Sequence, residues 1–391
     1  MDSDGDPDYY PYQTLYGLGY KNGSEAGAYF TVIANPSLKW ETQISTDIAL
    51  EFGLFDRLTG TIEYFKKDSK DLLFDVSQPA SVGVTSIIQN IGKVTNSGVE
   101  IELDYNAFKN KDWSVSVGAN ATFVKNKIKN LPATMKENGY ISGSKKWLEG
   151  KSIYEFWLRQ WHGVDPQTGD GLYVADVSKY NQGNIGTGDG NITQSQFDEY
   201  KKTVVTIDGK ELTNSYTYAK YDFSGSSIPD VYGGFNVRVS YKNFDLAAVF
   251  SYQLGGQILD TNYATMMSMT EFGYAQSPDL LKAWKQAGDI TEVPRIDNSA
   301  AHTTNIGQSY STRWLTSSDY LNLRSVTIGY QLPKTWLSKV MLKSARLNLT
   351  AENLFMLKAR QGLNPMANYS GVTYNEYMPS RNITLGLNVS F

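Results

Sequence analysis

The chain has 391 residues, with 36 Lys and Arg against 40 Asp and Glu, a formal net charge of −4 and 19% charged residues. That near balance excludes a nucleic-acid protein driven by clustered cations. With no Cys and only two His, His162 and His302, thiolate chemistry and disulfides are excluded and a His-rich metal site nearly so. Aromatic residues make up 13% of the chain, weighted toward Tyr, and rings with an apolar body and a polar tip favour interfaces and binding surfaces.

No run nears the roughly eighteen consecutive apolar residues of a membrane helix. The start, Met1 to Pro7, is acidic and lacks the cationic and apolar parts of a signal peptide, so the chain is expected either to stay in the cytoplasm or to have its true N-terminus elsewhere. A strand that crosses a membrane alternates lipid-facing apolar with lumen-facing polar residues, and average hydropathy does not register it.

Alternation is the clearest signal in the sequence. Ile44, Thr46, Ile48, Leu50, Phe52 and Leu54 share one parity, against Ser45, Asp47, Ala49, Glu51 and Gly53. Across a short turn at 55–57, Leu58, Gly60, Ile62 and Tyr64 continue it as a hairpin. Next come Val99, Ile101, Leu103 and Tyr105, then Trp113, Val115, Val117, Ala119, Ala121 and Phe123. A third hairpin pairs Phe235, Val237, Val239 and Tyr241 with Phe244, Leu246, Ala248, Phe250 and Tyr252. Further strands are expected near Tyr320–Leu332, near Ala345–Leu357 and over Ile383, Leu385, Leu387, Val389 and Phe391, giving nine long strands.

The turns at 55–57, 108–112 and 242–243 are tiny and that at 333–343 is modest; the connections at 71–93, 128–228, 257–311 and 358–379 are long and rich in Gly, Asn, Ser, Asp and Tyr. Short turns at one end and long loops at the other are the pattern of an outer-membrane barrel. A soluble β-sandwich or jelly roll competes, but its strands run to about five or six residues, whereas a tilted membrane strand needs roughly nine to eleven. Strand length favours the membrane, and a final Phe391 in phase with the apolar parity reads as the end of a closing strand.

Several segments resemble a known family. Asn35-Pro36-Ser37-Leu38-Lys39-Trp40-Glu41 looks like the opening of a strand in TonB-dependent outer-membrane transporters, and Asn90 to Glu100 is similar to their run from an external loop back into the wall. Tyr320 to Pro333, Glu352-Asn353-Leu354-Phe355 and the ending at Phe391 look like the SusC/RagA type. The resemblance implies an all-β, transmembrane antiparallel barrel of about 22 strands plugged by an N-terminal domain. It also implies energy from an inner-membrane TonB complex, a SusD-like surface lipoprotein as partner, and the outer membrane of a Gram-negative bacterium as location. Nine strands do not enclose that lumen, and open edges in lipid are costly. The chain is therefore expected to be a C-terminal portion that pairs with the remainder of the same barrel, lacking the plug and the energy-coupling peptide. Counting strands back from Phe391 then makes residues 1–38 an extracellular loop region and residues 39–391 barrel strands with long external loops.

Little in the chain suggests catalysis. Glu100 with Glu102, and Asp47 with Glu51, lie on the polar parity among hydroxyls and amides and fit a hydrated lumen wall. His162 and His302 lack the partners of a triad, and no catalytic residue, cofactor or metal ligand is assigned. The run from Gly186 to Asp198, with Asp189-Gly190-Asn191-Ile192, is a weak calcium-loop pattern that lacks the full ligand spacing. Tyr154, Trp157 and Trp161, with Phe156 and His162, form the densest aromatic cluster. It reads either as a stacking platform for a sugar ring or apolar side chain, or as an interfacial girdle or loop core. Leu280, Leu281 and Trp284 suggest a short helix over 279–286 that packs on other loops or on a capping partner. The leading expectation is active uptake of an oligosaccharide or oligopeptide; a passive porin-like channel and a soluble carbohydrate-binding module are the alternatives. Leu385, Leu387, Val389 and Phe391 are expected to face lipid on the strand used in membrane assembly.

Overall fold

The computed structural model describes residues 12–391 apart from 79, 85, 189, 270–272, 274, 300–301, 303–304, 308–309 and 338–341. Nine strands form one antiparallel sheet, each paired with its neighbours in chain order. They are β1 (Thr42–Leu54), β2 (Leu58–Lys70), β3 (Lys93–Lys109), β4 (Trp113–Asn130), β5 (Val231–Tyr241), β6 (Phe244–Leu254), β7 (Tyr320–Gln331), β8 (Ser344–Glu352) and β9 (Asn382–Ser390). The run expected over 345–357 is broken. Asn353 takes a left-handed φ of 51°, its side chain donates to the Ser380 carbonyl (3.0 Å), and the short strand Met356–Lys358 resumes pairing with β7 beyond it.

Register converts the alternation into two continuous faces. Following the pairing across the sheet, Leu54, Leu58, Tyr105, Val117, Val237, Ala248, Val326, Ala351 and Ile383 form one row through all nine strands. A row on the opposite face reads Glu51, Thr61, Glu102, Asn120 and Gly234 from β1 to β5. A one-residue slip of a strand would turn its polar parity, with charges such as Glu51, Glu102 and Asp245, onto the apolar face, so the composition of the faces fixes the register. The tight turns help. Between β1 and β2, Phe55 and Asp56 adopt φ of 57° and 52°, the left-handed geometry whose twist matches a hairpin.

Aromatic side chains gather at the short-turn end. Trp113 of β4 packs on Tyr241 of β5 (4.3 Å between centroids), and Phe244 of β6 on Tyr330 of β7 (4.4 Å). Such rings suit the boundary between hydrocarbon and water.

The long loops fold on their own terms. Residues 131–230 contain two four-stranded sheets and a helix, α1 (Gln194–Thr203). Thr193 caps α1 in a capping box with Gln196, each side chain bonding the other residue's backbone N–H. Phe156 and Leu158 from this segment, Leu259, Ala264, Met267, Ala283, Val293 and Trp314 from residues 255–319, and Val372 from residues 359–381 share one buried core. Three loops far apart in sequence thus close into a single cap above the wall.

The helix expected over 279–286 is a shorter 3₁₀ turn, Pro278–Lys282, with Trp284 beyond it. Its chain instead returns through Trp284 N–H to the Val293 carbonyl (3.0 Å). Within residues 1–38, expected as a loop region, residues 1–11 lie outside the described ones. Leu15–Asn22 and Glu25–Val32 form a separate hairpin.

Candidate functional site

The most chemically loaded surface in the cap lies on the sheet built from Tyr140–Ser142, Lys145–Trp147, Glu155–Arg159 and Tyr221–Ser226. Strand parity divides its central strand. Phe156 and Leu158 are 0% exposed in the shared core, which turns Glu155, Trp157 and Arg159 to the other, half-buried face. There the Trp157 indole stacks on Tyr221 (6.2 Å, 13°) and meets Phe223 edge-on (4.9 Å). Cations lie against these rings: Lys146 Nζ 4.0 Å from Trp157, Lys151 Nζ 4.6 Å from Phe223, and the Arg159 guanidinium 4.6 Å from Tyr221 and 5.0 Å from Tyr216. Arg159 is further fixed by Nε donating to the Tyr216 carbonyl (3.0 Å). The result is a flat platform of π faces edged by three cations and one carboxylate, Glu155. Such a surface can stack planar or apolar groups and hold anionic ones.

Behind the platform, Lys145 points into the core. Its Nζ lies 3.1 Å from the Phe156 ring centroid and donates to the Tyr154 carbonyl (2.9 Å). Burial lowers this ammonium to about 7, against the opposing pull of Glu155. Arg313, wedged between Trp161 (4.8 Å) and Trp314 (4.3 Å), is brought down by burial to about 10 and stays charged at neutral pH. The Tyr173 hydroxyl donates to the Asn305 carbonyl (2.7 Å), and burial raises its acid dissociation well above the ordinary phenol range. A second tie joins two loops: Asp260, 3% exposed, accepts from Tyr263 N–H (3.0 Å) and the Thr373 hydroxyl (3.2 Å) and pairs with Arg360. These groups hold the cap's shape.

The structure does not bring Tyr154, Trp157 and Trp161 into one cluster. Trp157 alone belongs to the platform. Tyr154 packs edge-on against Tyr369 (5.3 Å), and Trp161 against Tyr173 (5.1 Å) over Gly171, where a Cβ would come 2.5 Å from the indole. Nothing in the sequence groups the platform's other members, Lys146, Lys151, Arg159, Tyr216, Tyr221 and Phe223, with Trp157. The Tyr-rich run 216–223 was the available signal, and only strand pairing shows that it lies beside Trp157.

Below the cap, the wall's apolar side chains are uncovered. Ile48, Leu50, Ile383, Leu385 and Leu387 are 63–69% exposed and Phe391 85%, so no second layer covers this face among the described residues. A soluble sandwich buries such a face against another sheet; here it is open along nine strands.

The model of the TonB dependent receptor-like β-barrel family matches residues 6–254. The chain belongs to this family. Curated relatives include the TonB-dependent receptor P3 of Formosa agariphila, 29% identical over 99% of this chain and 38% of that protein. They also include the TonB-dependent receptor SusC of Bacteroides thetaiotaomicron, 24% identical over 91% of this chain and 32% of that protein. Among solved structures, the RagAB peptide importer in its closed-closed state superposes with a TM-score of 0.75 at 25% identity, covering 98% of this chain and 39% of that one. The chain spans less than two-fifths of the length of each of these three.

As part of a TonB-dependent receptor barrel in the outer membrane, the exposed apolar rows face hydrocarbon and the polar rows face the lumen. The nine strands are a fragment of a larger barrel, and members of the family are transporters rather than enzymes. The lumen-facing Glu102 lies opposite Thr61 and Asn120, the hydroxyl and amide neighbours expected for it, whereas Glu100 lies opposite Thr122 on β4 and a second carboxylate, Glu63, on β2. Arg346 of β8 reaches Asp245 of β6 (2.6 Å) across Gly329 of β7 on the same face. His162 is exposed, and His302 Nε2 donates to the Arg295 carbonyl (2.8 Å) in a loop. The calcium pattern at 186–198 includes Asp189, which lies outside the described residues.

Proposed function

We propose that this chain supplies wall, lumen lining and external cap to an active, TonB-energised importer of oligopeptides or oligosaccharides, with the cap gripping cargo beneath a SusD-like lipoprotein lid. The observation that carries this reading is the platform around Trp157. It is a half-buried, cation-edged aromatic surface built on a rigid sheet, held by the core that unites the three long loops. Platforms of this kind suit extended polymers, because each ring accepts a planar or apolar group without demanding one sequence. Likeness to the RagAB peptide importer and the excess of Lys146, Lys151 and Arg159 over Glu155 favour peptides with free carboxylates over neutral glycans. Leu281, Ile290 and Ile296, which are 79%, 97% and 66% exposed on the outer loops, offer apolar anchors for the lid. On the wall, Leu385, Leu387, Val389 and Phe391 present the lipid-facing edge used in membrane assembly. Tyr154 and Trp161 act behind the platform by fixing the cap rather than touching cargo.

The test is titration of the complete purified transporter with acidic peptides and, separately, with neutral oligosaccharides. Trp157→Ala is expected to weaken peptide binding by roughly tenfold or more, the loss typical of a buried aromatic anchor, while Trp336→Ala, at an exposed ring on the short-turn side, leaves it unchanged. Equal binding by both variants and the parent overturns the platform as the cargo site.

A further inference from the structure

Toward the long-loop end, above the level of Tyr64 and Phe123, the lipid-facing parity changes character. In β2 it runs Ile62, Tyr64, Lys66, Asp68, Lys70; in β3, Ile101, Val99, Ser97, Thr95, Lys93; in β4, Ala121, Phe123, Lys125, Lys127, Lys129. The switch occurs at one level, since Tyr64, Val99 and Phe123 lie side by side and Lys66, Ser97 and Lys125 form the next row. On β4 burial follows this split: Lys125, Lys127 and Lys129 are exposed, whereas the alternating Asn126 and Ile128 are buried on the cap side; on β2 and β3 Lys66 is exposed, Lys70 and Lys93 are half-buried and Thr95 is buried. Six lysines on adjacent strands thus share an outward face with a single acid, Asp68, which already contacts Lys66 (3.3 Å) and Lys93 (3.4 Å) and accepts from the Thr95 hydroxyl (2.6 Å). Lys70 and Lys93 stand directly opposite each other, a pairing that disfavours a sheet unless an anion lies between. Where Tyr64 and Phe123 meet the lysines there is a cavity of about 690 Å³ bordered on the wall by Tyr64, Phe123, Lys125 and Lys127 and on the cap side by Asp230 and by Lys151 and Glu155 at the edge of the platform.

We propose that this lysine face binds the phosphate groups of phosphorylated glycolipid in the outer leaflet. Its height on the wall decides the ligand class. Cations immediately above a lipid-facing aromatic row meet headgroups, and each is worth roughly a factor of five in attraction to an anionic surface. Amine donors and apolar wall are contiguous here, matching a molecule whose phosphate and acyl chains are contiguous. Soluble cargo travels on the other side of the sheet. The contact orients this sector of the barrel and gives its external rim a fixed lipid neighbour.

The complete transporter in phosphatidylcholine nanodiscs doped with bisphosphorylated lipid A, or with the same lipid A after dephosphorylation, tests this by counting lipid retained per protein after purification. The variant K66Q/K125Q/K127Q is expected to retain at least about tenfold less bisphosphorylated lipid than the parent, with Lys67→Gln, on the lumen-facing parity of β2, behaving as the parent. Heat-modifiable migration monitors folding in every sample. Undiminished retention by the triple variant, or equal retention of dephosphorylated lipid, overturns the proposal. Displacement of the lipid by inorganic phosphate at ionic strengths where chloride has no effect assigns the lysines to free phosphate and overturns the lipid assignment.

Discussion

Leu385 and Leu387 in β9 are 69% and 63% exposed, while Phe156 and Leu158 in the cap are 0% exposed, although each pair sits two residues apart on one face of a strand. The wall gains its apolar partner from lipid and satisfies its backbone through strand pairing. The cap gains its partner from other loops and makes a dry core of its own. Residue pattern alone therefore does not state what covers an apolar face. Strand length does: the wall strands run 9 to 18 residues, and those of the cap 3 to 6.

The sharpest way to separate the two regions is to damage one and watch the other. Phe156→Ala removes a fully buried ring and is expected to cost the cap about 3–5 kcal/mol, read as faster amide exchange and protease cleavage across residues 131–230, with heat-modifiable migration of the barrel unchanged. Simultaneous loss of both signals would mean that wall and cap are one cooperative unit. In the wall, Val237→Arg in the middle of the apolar row is expected to cost about 2–4 kcal/mol in reversible unfolding from lipid vesicles. Asn236→Arg, one residue away on the lumen face, should be far milder. Equal costs would contradict the assignment of faces.

A smaller effect distinguishes the cap by pH. Lys145 is held at about 7 in the folded cap against 10.5 for the free side chain. Between these values the unfolded cap binds more protons than the folded one, so stability rises with pH across that window and levels off below about 7. Exchange protection of the core around Phe156, corrected for intrinsic rates, should therefore increase from neutral to alkaline pH, and Lys145→Met should flatten that rise. A parent protein with no slope in this window would place the ammonium in water.

The wall was legible because each strand repeats the same instruction. Ile48, Leu50, Ile62, Ile101 and Leu387 keep period 2 over enough residues to cross a bilayer, and the tight turns announce which strands are neighbours. Even there, the kink at Asn353 was missed, since a left-handed residue between two strands leaves the alternation on either side intact. The cap was not legible in the same way. Its strands are too short to establish a period, and its core joins Phe156 to Leu259, Trp314 and Val372 across more than 200 residues of chain. For the site, the sequence picked out Trp157 by aromatic density but grouped it with Tyr154 and Trp161, which strand parity and loop packing send elsewhere. Tyr221, Phe223 and Lys146 come from strands that flank Trp157 only in the folded state, and Lys151 and Tyr216 from turns that fold beside it.

With no native Cys, single cysteines can be placed one at a time from Asn382 to Phe391 in the complete transporter and spin-labelled in lipid. Labels at 383, 385, 387 and 389 should be relaxed preferentially by lipid-soluble oxygen, and those at 384, 386 and 388 by a water-soluble nickel chelate, alternating residue by residue. Uniform response to either reagent along the strand would contradict a wall with one face in hydrocarbon and the other in water.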